Sequence, residues 1–195
     1  MLIIVNGAPG KGKTLFMTWL ATQIIKAHPD IKVYSNYYID IGTKYVLIEN
    51  PYNLRYVNEK SLVLLDEADE FFNSFGKKTE QEIGEIIARK SRKINMIVIM
   101  TYHYPTHVYV RARRMWNVFC EPNYDHKREK LEVKIYDRFN QDKPYQELRI
   151  PRREIIKYFK KYKTKQVIYN DKVRPLSCYI GKELRGFENG EQRRV

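Results

Sequence analysis

Leu2-Ile3-Ile4-Val5-Asn6-Gly7-Ala8-Pro9-Gly10-Lys11-Gly12-Lys13-Thr14 decides how this chain folds. Its first four residues are continuously apolar, as in a strand covered on both faces, and Gly7 to Thr14 fits G-x-x-x-x-G-K-[ST]. An apolar periodicity follows at once: Phe16, Met17, Leu20, Ala21, Ile24 and Ile25 recur at helical spacing until His28-Pro29-Asp30 ends the run. Strand, glycine-rich turn and helix therefore come in the order that points successive backbone N–H groups at one anion, at the positive end of a helix. In such a loop Gly7, Ala8, Pro9, Gly10, Lys11, Gly12, Lys13, Thr14 and Leu15 surround a triphosphate. Lys13 reaches the β- and γ-phosphates, and the Thr14 hydroxyl is a ligand for Mg²⁺. A chance glycine turn would match the pattern without the flanking strand and helix.

A second stretch, Ser61-Leu62-Val63-Leu64-Leu65-Asp66-Glu67-Ala68-Asp69-Glu70, reads as a buried parallel strand that delivers two acids at its C-terminal end. Open α/β sheets bind their ligands at that end of the strands. Asp66 is expected to hold Mg²⁺ through water, and Glu67 to orient or deprotonate an attacking water. Kinases of small metabolites do not need the second acid. The plainer reading is an acidic first turn of a helix, which suits Asp69 and Glu70 best.

Between these stretches, Ile31 to Ile39 and Tyr45 to Ile48 alternate like strands, with a polar Ser35-Asn36 pair that reads either as a sheet-edge feature, the favoured and structural reading, or as facing the nucleotide. Thr79-Glu80-Gln81-Glu82 has capping-box spacing and opens a helix running to Arg92, with Ile83, Ile86 and Ile87 inward. Its end, Ala88-Arg89-Lys90-Ser91-Arg92-Lys93, gathers cations where a helix dipole favours them. Asn95 to Met100 is another buried strand, so Thr101 to His103 should emerge beside the acids. Val118 to Cys120, Leu131 to Tyr136 and Glu147 to Ile150 read as strands, Glu154 to Lys161 as a short basic helix, and residues 186–195 as a frayed tail.

The charge is lopsided. Residues 1–98 carry 13 basic and 11 acidic side chains, net +2, whereas residues 99–195 carry 23 and 12, net +11. Such a field favours a polyanionic partner, the bland alternative being a basic surface kept for solubility. Arg149-Ile150-Pro151-Arg152-Arg153 through Lys165 interleaves cations with aromatics, as a surface that grips a nucleic-acid backbone does. A basic helix packed on the sheet is the competing reading. Cys120 and Cys178 match no metal or disulfide pattern, which points to a reducing compartment. No apolar run approaches the roughly 20 residues of a membrane span, and the N-terminal segment lacks a basic n-region.

Taken together the motifs resemble the FtsK–HerA superfamily of P-loop ATPases, over roughly residues 1–122. The likeness rests on Gly7-Ala8-Pro9-Gly10-Lys11-Gly12-Lys13-Thr14 and Leu64-Leu65-Asp66-Glu67-Ala68. Ala88-Arg89-Lys90-Ser91-Arg92, then Ile97-Val98-Ile99-Met100-Thr101, Pro105 and Arg111, complete it. Within the superfamily the sequence is similar to small viral genome-packaging ATPases and to Zot-like phage assembly ATPases. The resemblance implies an α/β P-loop NTPase of the ASCE/RecA-like type: a three-layer sandwich whose mostly parallel central sheet is flanked by helices, with the phosphate-loop strand beside the acid-bearing strand. It implies ATP and Mg²⁺ as cofactors and self-association into a ring, often a hexamer. It further implies ATP hydrolysis coupled to movement of double-stranded DNA without sequence preference, with capsid or portal proteins as further partners. The setting implied is the host cytoplasm or the virion. Residues 1–122 would form the ATPase core, 123–185 a basic extension of the same domain, and 186–195 the tail.

An arginine supplied across the subunit interface is also implied. Arg89 and Arg92 match best by position, with Arg111, Arg113 and Arg114 as competitors. The superfamily places Gln or Asn after the Thr that ends the third motif, whereas this chain has Tyr102 and then His103. Either His103 or Thr101 takes that polar role, or the γ-phosphate is sensed differently. Zot-like proteins also carry a transmembrane segment after the ATPase domain, which this sequence lacks and which shifts weight toward a packaging motor. The alternatives are a virion assembly or extrusion ATPase acting on protein partners, a nucleotide kinase, and a nucleotide switch without turnover.

Overall fold

A computed structural model describes residues 1–70, 78–104, 116–139 and 142–162. Leu2–Asn6 (β1) forms the centre of an eight-stranded sheet because all five of its residues are buried, so both faces have to be covered. The other strands are Lys32–Ser35 (β2), Tyr45–Leu47 (β3), Ser61–Leu65 (β4), Ile97–Tyr102 (β5), Val118–Asp125 (β6), Lys130–Asp137 (β7) and Gln146–Ile150 (β8). Their order is β3-β2-β4-β5-β1-β6-β7-β8. Every pairing from β3 to β6 is parallel, and β6-β7 and β7-β8 are antiparallel. This is the expected mostly parallel α/β sheet, with one correction. The phosphate-loop strand β1 does not lie beside the acid-bearing strand β4, because β5 stands between them and pairs with both.

Helices cover the two faces. Lys13–Ala27 (α1) packs on one, and Phe16, Met17, Ala21 and Ile25 join Ile3 and Val5 of β1 in a single apolar cluster. Lys78–Lys93 (α2) lies on the other with a 3₁₀ turn over Pro51–Tyr56, where Ile87 and Leu54 meet Leu2 and Ile4. Alternate residues of β1 thus feed opposite cores, as the two-residue period of a strand requires. The N-terminal ammonium donates to Ser91 O and Met96 O, which places the cationic end of α2 near the start of β1, opposite the phosphate-loop end.

The remaining strands build a wing. β6 runs straight through Pro122, so the expected division at 122/123 falls inside a strand. Proline is accommodated because the nitrogen two residues on, that of Tyr124, points away from β7 and donates to Lys11 O. On that side β1 has already left the sheet, and no ladder bond is lost. After β8 the chain turns into Arg152–Ile155 (α3) and a 3₁₀ turn over Ile156–Tyr158, where a short basic helix over Glu154 to Lys161 is expected. This strap is tied to α1: Trp19 Nε1 donates to Glu154 Oε1 at 2.6 Å, and Ile155 and Tyr158 are buried. It ends in a bridge between Tyr162 and Ile39. The expectations for residues 186–195, and for Arg111, Arg113 and Arg114, lie outside the described residues.

Candidate active site

The loop after β1 enters α1 through Gly12, whose φ of 84° is left-handed. A Cβ there would also stand 3.0 Å from Leu131 Cδ1 and 3.2 Å from the Tyr124 Cβ, so the conformation favours glycine and the space is tight for anything larger. No side chain caps α1, and Lys13, Thr14 and Leu15 of its first turn, where a helix leaves its N–H groups without intrahelical partners, line the cavity beside it. Lys13 Nζ donates to Ala8 O at 3.3 Å, which holds the ammonium inside the curl of the loop. Burial pulls the Lys13 pKa down, while the charges of Asp66, Asp69 and Glu67 oppose that shift.

The acids arrive from β4 and are held by its neighbours on both sides. Asp66 N donates to Asn36 Oδ1 at 2.7 Å and Asn36 Nδ2 donates to Asp66 O at 2.9 Å, so the turn after β2 grips the backbone of the acid. From β5, Thr101 Oγ1 donates to Asp66 Oδ1 at 2.6 Å and accepts from Glu67 N at 2.8 Å. That one hydroxyl fixes the carboxylate of Asp66 and the turn that aims Glu67. Glu67 itself has a φ of 50°, a conformation that non-glycine residues adopt seldom and at some cost, and its side chain is exposed to the cavity. Across the cavity Thr14 Oγ1 lies 3.1 and 3.0 Å from the two oxygens of Asp66 and donates to them. Burial pushes the Asp66 carboxyl up, and the hydrogen bonds from Thr101 and Thr14 oppose the rise.

The cavity measures about 600 Å³, within the range of small-molecule sites. Pro9, Gly10, Gly12, Lys13, Thr14, Leu15, Asp66, Glu67 and His103 line one end. His103 is held by Asp69, Nδ1 to Oδ2 at 3.0 Å. Other expected site residues lie elsewhere. Thr101 is fully buried beneath Asp66, and Lys11 turns back to donate to Asn123 Oδ1 at 2.9 Å. Gly7 and Ala8 shape the loop from behind, Gly7 N donating to Tyr102 O. Arg89 and Arg92 are exposed on α2, where Arg89 pairs with Glu85 at 3.1 Å, and neither lines the cavity.

The other end of the cavity is formed by Tyr124, His126, Glu129, Ile156, Phe159 and Tyr162, none of which the motifs mark. The cation-aromatic pattern at 149–162 does contain three of them. Its cations carry the sequence reading, whereas its aromatic and apolar members are the ones that face the cavity. Burial, and then the charge of Asp66, push the Tyr162 phenol up to about 12. Asn36 has the structural role favoured for it, but its particular partner, the Asp66 backbone, was not legible from the sequence.

An anion-binding loop, a lysine, a hydroxyl–carboxylate pair and an exposed glutamate around one cavity have the parts for nucleoside triphosphate hydrolysis. The fold is similar to that of the N-terminal domain of zonular occludens toxin from Neisseria meningitidis (17% identity, TM-score 0.51, covering 70% of this chain and 83% of that one). It is also similar to the genome-packaging NTPase B204 of Sulfolobus turreted icosahedral virus 2 bound to ATP-γS (11%, 0.53, 77% and 97%). At these identities the likeness is one of fold. No curated protein matches the sequence. The pattern of the ATPase family associated with various cellular activities (AAA) matches residues 3–119, from β1 to the start of β6 and through every element that carries the loop and the acids. The chain belongs to this family and is an AAA-type P-loop ATPase domain.

Proposed function

We propose that the chain is a Mg²⁺-dependent ATPase of the FtsK–HerA type that assembles into a ring and moves double-stranded DNA, packaging a viral genome in the host cytoplasm or at the virion. The observation that carries the reading is the convergence of Lys13, Thr14, Asp66 and Glu67 on one cavity. Thr14 and Asp66 suit Mg²⁺, since both offer hard oxygen donors and Mg²⁺ completes its octahedron with water and phosphate oxygens in preference to an all-protein cage. When bound it would neutralise charge across the β- and γ-phosphates. Lys13 and the N–H groups at the start of α1 would hold the same phosphates. Glu67 would orient a water in line with the γ-phosphorus and accept its proton, with Thr101 holding it in place and His103 reading the γ-phosphate.

In a ring of this type an arginine from a neighbouring subunit would add its charge to that of Lys13 on the γ-phosphate. The exposed Arg92 and Arg89 are available for that part. The net +11 of residues 99–195 supports a polyanionic cargo gripped through its backbone, and the likeness to a genome-packaging NTPase agrees with it. The likeness to the zonular occludens toxin domain favours a second reading, a virion assembly or extrusion ATPase that acts on protein partners.

The test is the ATPase rate with and without double-stranded DNA for the wild type, Lys13→Ala, Glu67→Gln and Arg92→Ala. Lys13→Ala is expected to abolish turnover by loss of nucleotide binding. Glu67→Gln should bind ATP normally while turnover falls on the order of 10²–10⁴-fold. Arg92→Ala should lose rate only where the ring forms. DNA should stimulate the wild type, with affinity falling steeply as salt rises. A rate indifferent to DNA favours the protein-acting reading, and a Glu67→Gln variant with full turnover overturns the hydrolytic assignment.

A further inference from the structure

The cavity has two chemically different ends. At the phosphate end the groups are backbone N–H, ammonium, hydroxyl and carboxylate. At the other the exposed surface is apolar and aromatic: Ile156 is 48% and Phe159 43% exposed, although their neighbours Ile155 and Tyr158 are buried. Large apolar side chains left open at a pocket, on a segment that buries its other face, call for a flat apolar occupant. We propose, resting on the nucleotide reading above, that this end is the base subsite: the nucleobase lies with its ring face on Phe159 and Ile156, and Tyr124 walls it in.

The wall is built in advance of any ligand. Tyr124 meets Phe159 edge to face at 5.6 Å and 78°, and meets His126 at 4.8 Å and 89°. Both contacts hold the Tyr124 ring in one orientation, and its own backbone N–H is bonded to Lys11 O in the phosphate loop. The strap that carries Ile156 and Phe159 is fixed to α1 by Trp19 and Glu154, and Gln23 Nε2 donates to the Tyr158 hydroxyl at 3.4 Å. Wall and phosphate loop are therefore parts of one framework, and a nucleotide can bridge them without a loop having to close. Of the polar groups at this end, Glu129 is ion-paired with Arg152. Stacking supplies the affinity of this end, and it tolerates any base with a broad face.

The test is calorimetric titration with a non-hydrolysable ATP analogue, and separately with inorganic tripolyphosphate, for the wild type, Phe159→Ala, Phe159→Trp and Ile156→Ser. Phe159→Ala is expected to weaken the ATP analogue by about tenfold or more, the size of a lost base–aromatic stack, while tripolyphosphate binds as it does to the wild type. Phe159→Trp should restore the affinity, and Ile156→Ser should produce a smaller loss with the same selectivity. Unchanged binding of the analogue by Phe159→Ala overturns the proposal, as does an equal loss for both ligands in Phe159→Ala and Ile156→Ser. A wild type that binds neither ligand overturns the nucleotide reading itself, and the base subsite falls with it.

Discussion

The phosphate end and the base end of the cavity are built on opposite plans. At the phosphate end the groups are backbone or are held through their own backbone: the N–H groups of α1, the peptide of Asp66 gripped by the Asn36 side chain, and the turn at Glu67 tied to the Thr101 hydroxyl. Charges act over short, directed contacts there, and an error of an ångström is costly. The base end asks only for broad apolar faces at a suitable height, and it takes them from β6, the β6–β7 turn and the strap after β8. The difference teaches that a site demanding particular atoms writes a motif, whereas a site demanding a surface does not.

The largest effect separating the two ends is expected from Asn36→Ala. It removes both partners of the Asp66 peptide in a fully buried setting, and should cost about 2–4 kcal/mol of stability by urea titration. Turnover should fall with it, because Glu67 moves with the peptide. If the variant keeps wild-type stability, the phosphate end is not held by its backbone in this way. A smaller loss, about 1–3 kcal/mol, is expected for Gly12→Ala, which sets the two ends against each other: the new Cβ strikes Leu131 and Tyr124 in the wing. Adding Leu131→Val removes the closer of the struck atoms. A double-mutant cycle should then recover part of the loss, and the share left over belongs to the positive φ. Strict additivity would mean that loop and wing do not touch.

The smallest effect concerns the seam between parallel and antiparallel strands, where Cys120 pairs with Val5 on one side and Ile135 on the other. Burial pushes its thiol up to about 12 from an ordinary value of 9.0. Below pH 9 both folded and unfolded chains keep the proton. Above it the unfolded chain releases the proton and the folded one retains it until about pH 12, so stability must fall with rising pH across that window. Compared with Cys120→Ala, the wild type should lose about 1.4 kcal/mol more per pH unit between about pH 9 and 11 in denaturant titrations. Equal slopes would show that the seam opens to water.

Much of the phosphate end was legible in the residues. Gly7 to Thr14 and Leu62 to Glu67 identify themselves because their chemistry needs those residue types in sequence. The emergence of Thr101 and His103 beside the acids followed from parallel strands delivering their C-terminal ends to one edge. Strand order was not legible. β1 and β4 are equally apolar, and nothing local records that β5 slips between them, since pairing partners in a parallel sheet are chosen by crossover connections distant in sequence. The role of Asn36 depended on that same order, because only a strand next to β4 can grip Asp66. Nor was the length of β6 legible, since a proline is tolerated in a strand only where its nitrogen faces no partner.

What the sequence determined by itself is the class of chemistry: an anion loop, a lysine, a hydroxyl and two acids, each recoverable because it lies within a few residues of its neighbours on one strand–turn–helix or strand–turn unit. What only the tertiary structure decided is which remote residues complete the cavity. Phe159 and Ile156 sit there because Trp19 and Gln23 on α1 hold the strap in place, and Tyr124 because β6 continues past the point where β1 turns into the loop. Those placements arise from packing between elements distant in the chain, and packing leaves no periodicity behind for a reader of the sequence to find.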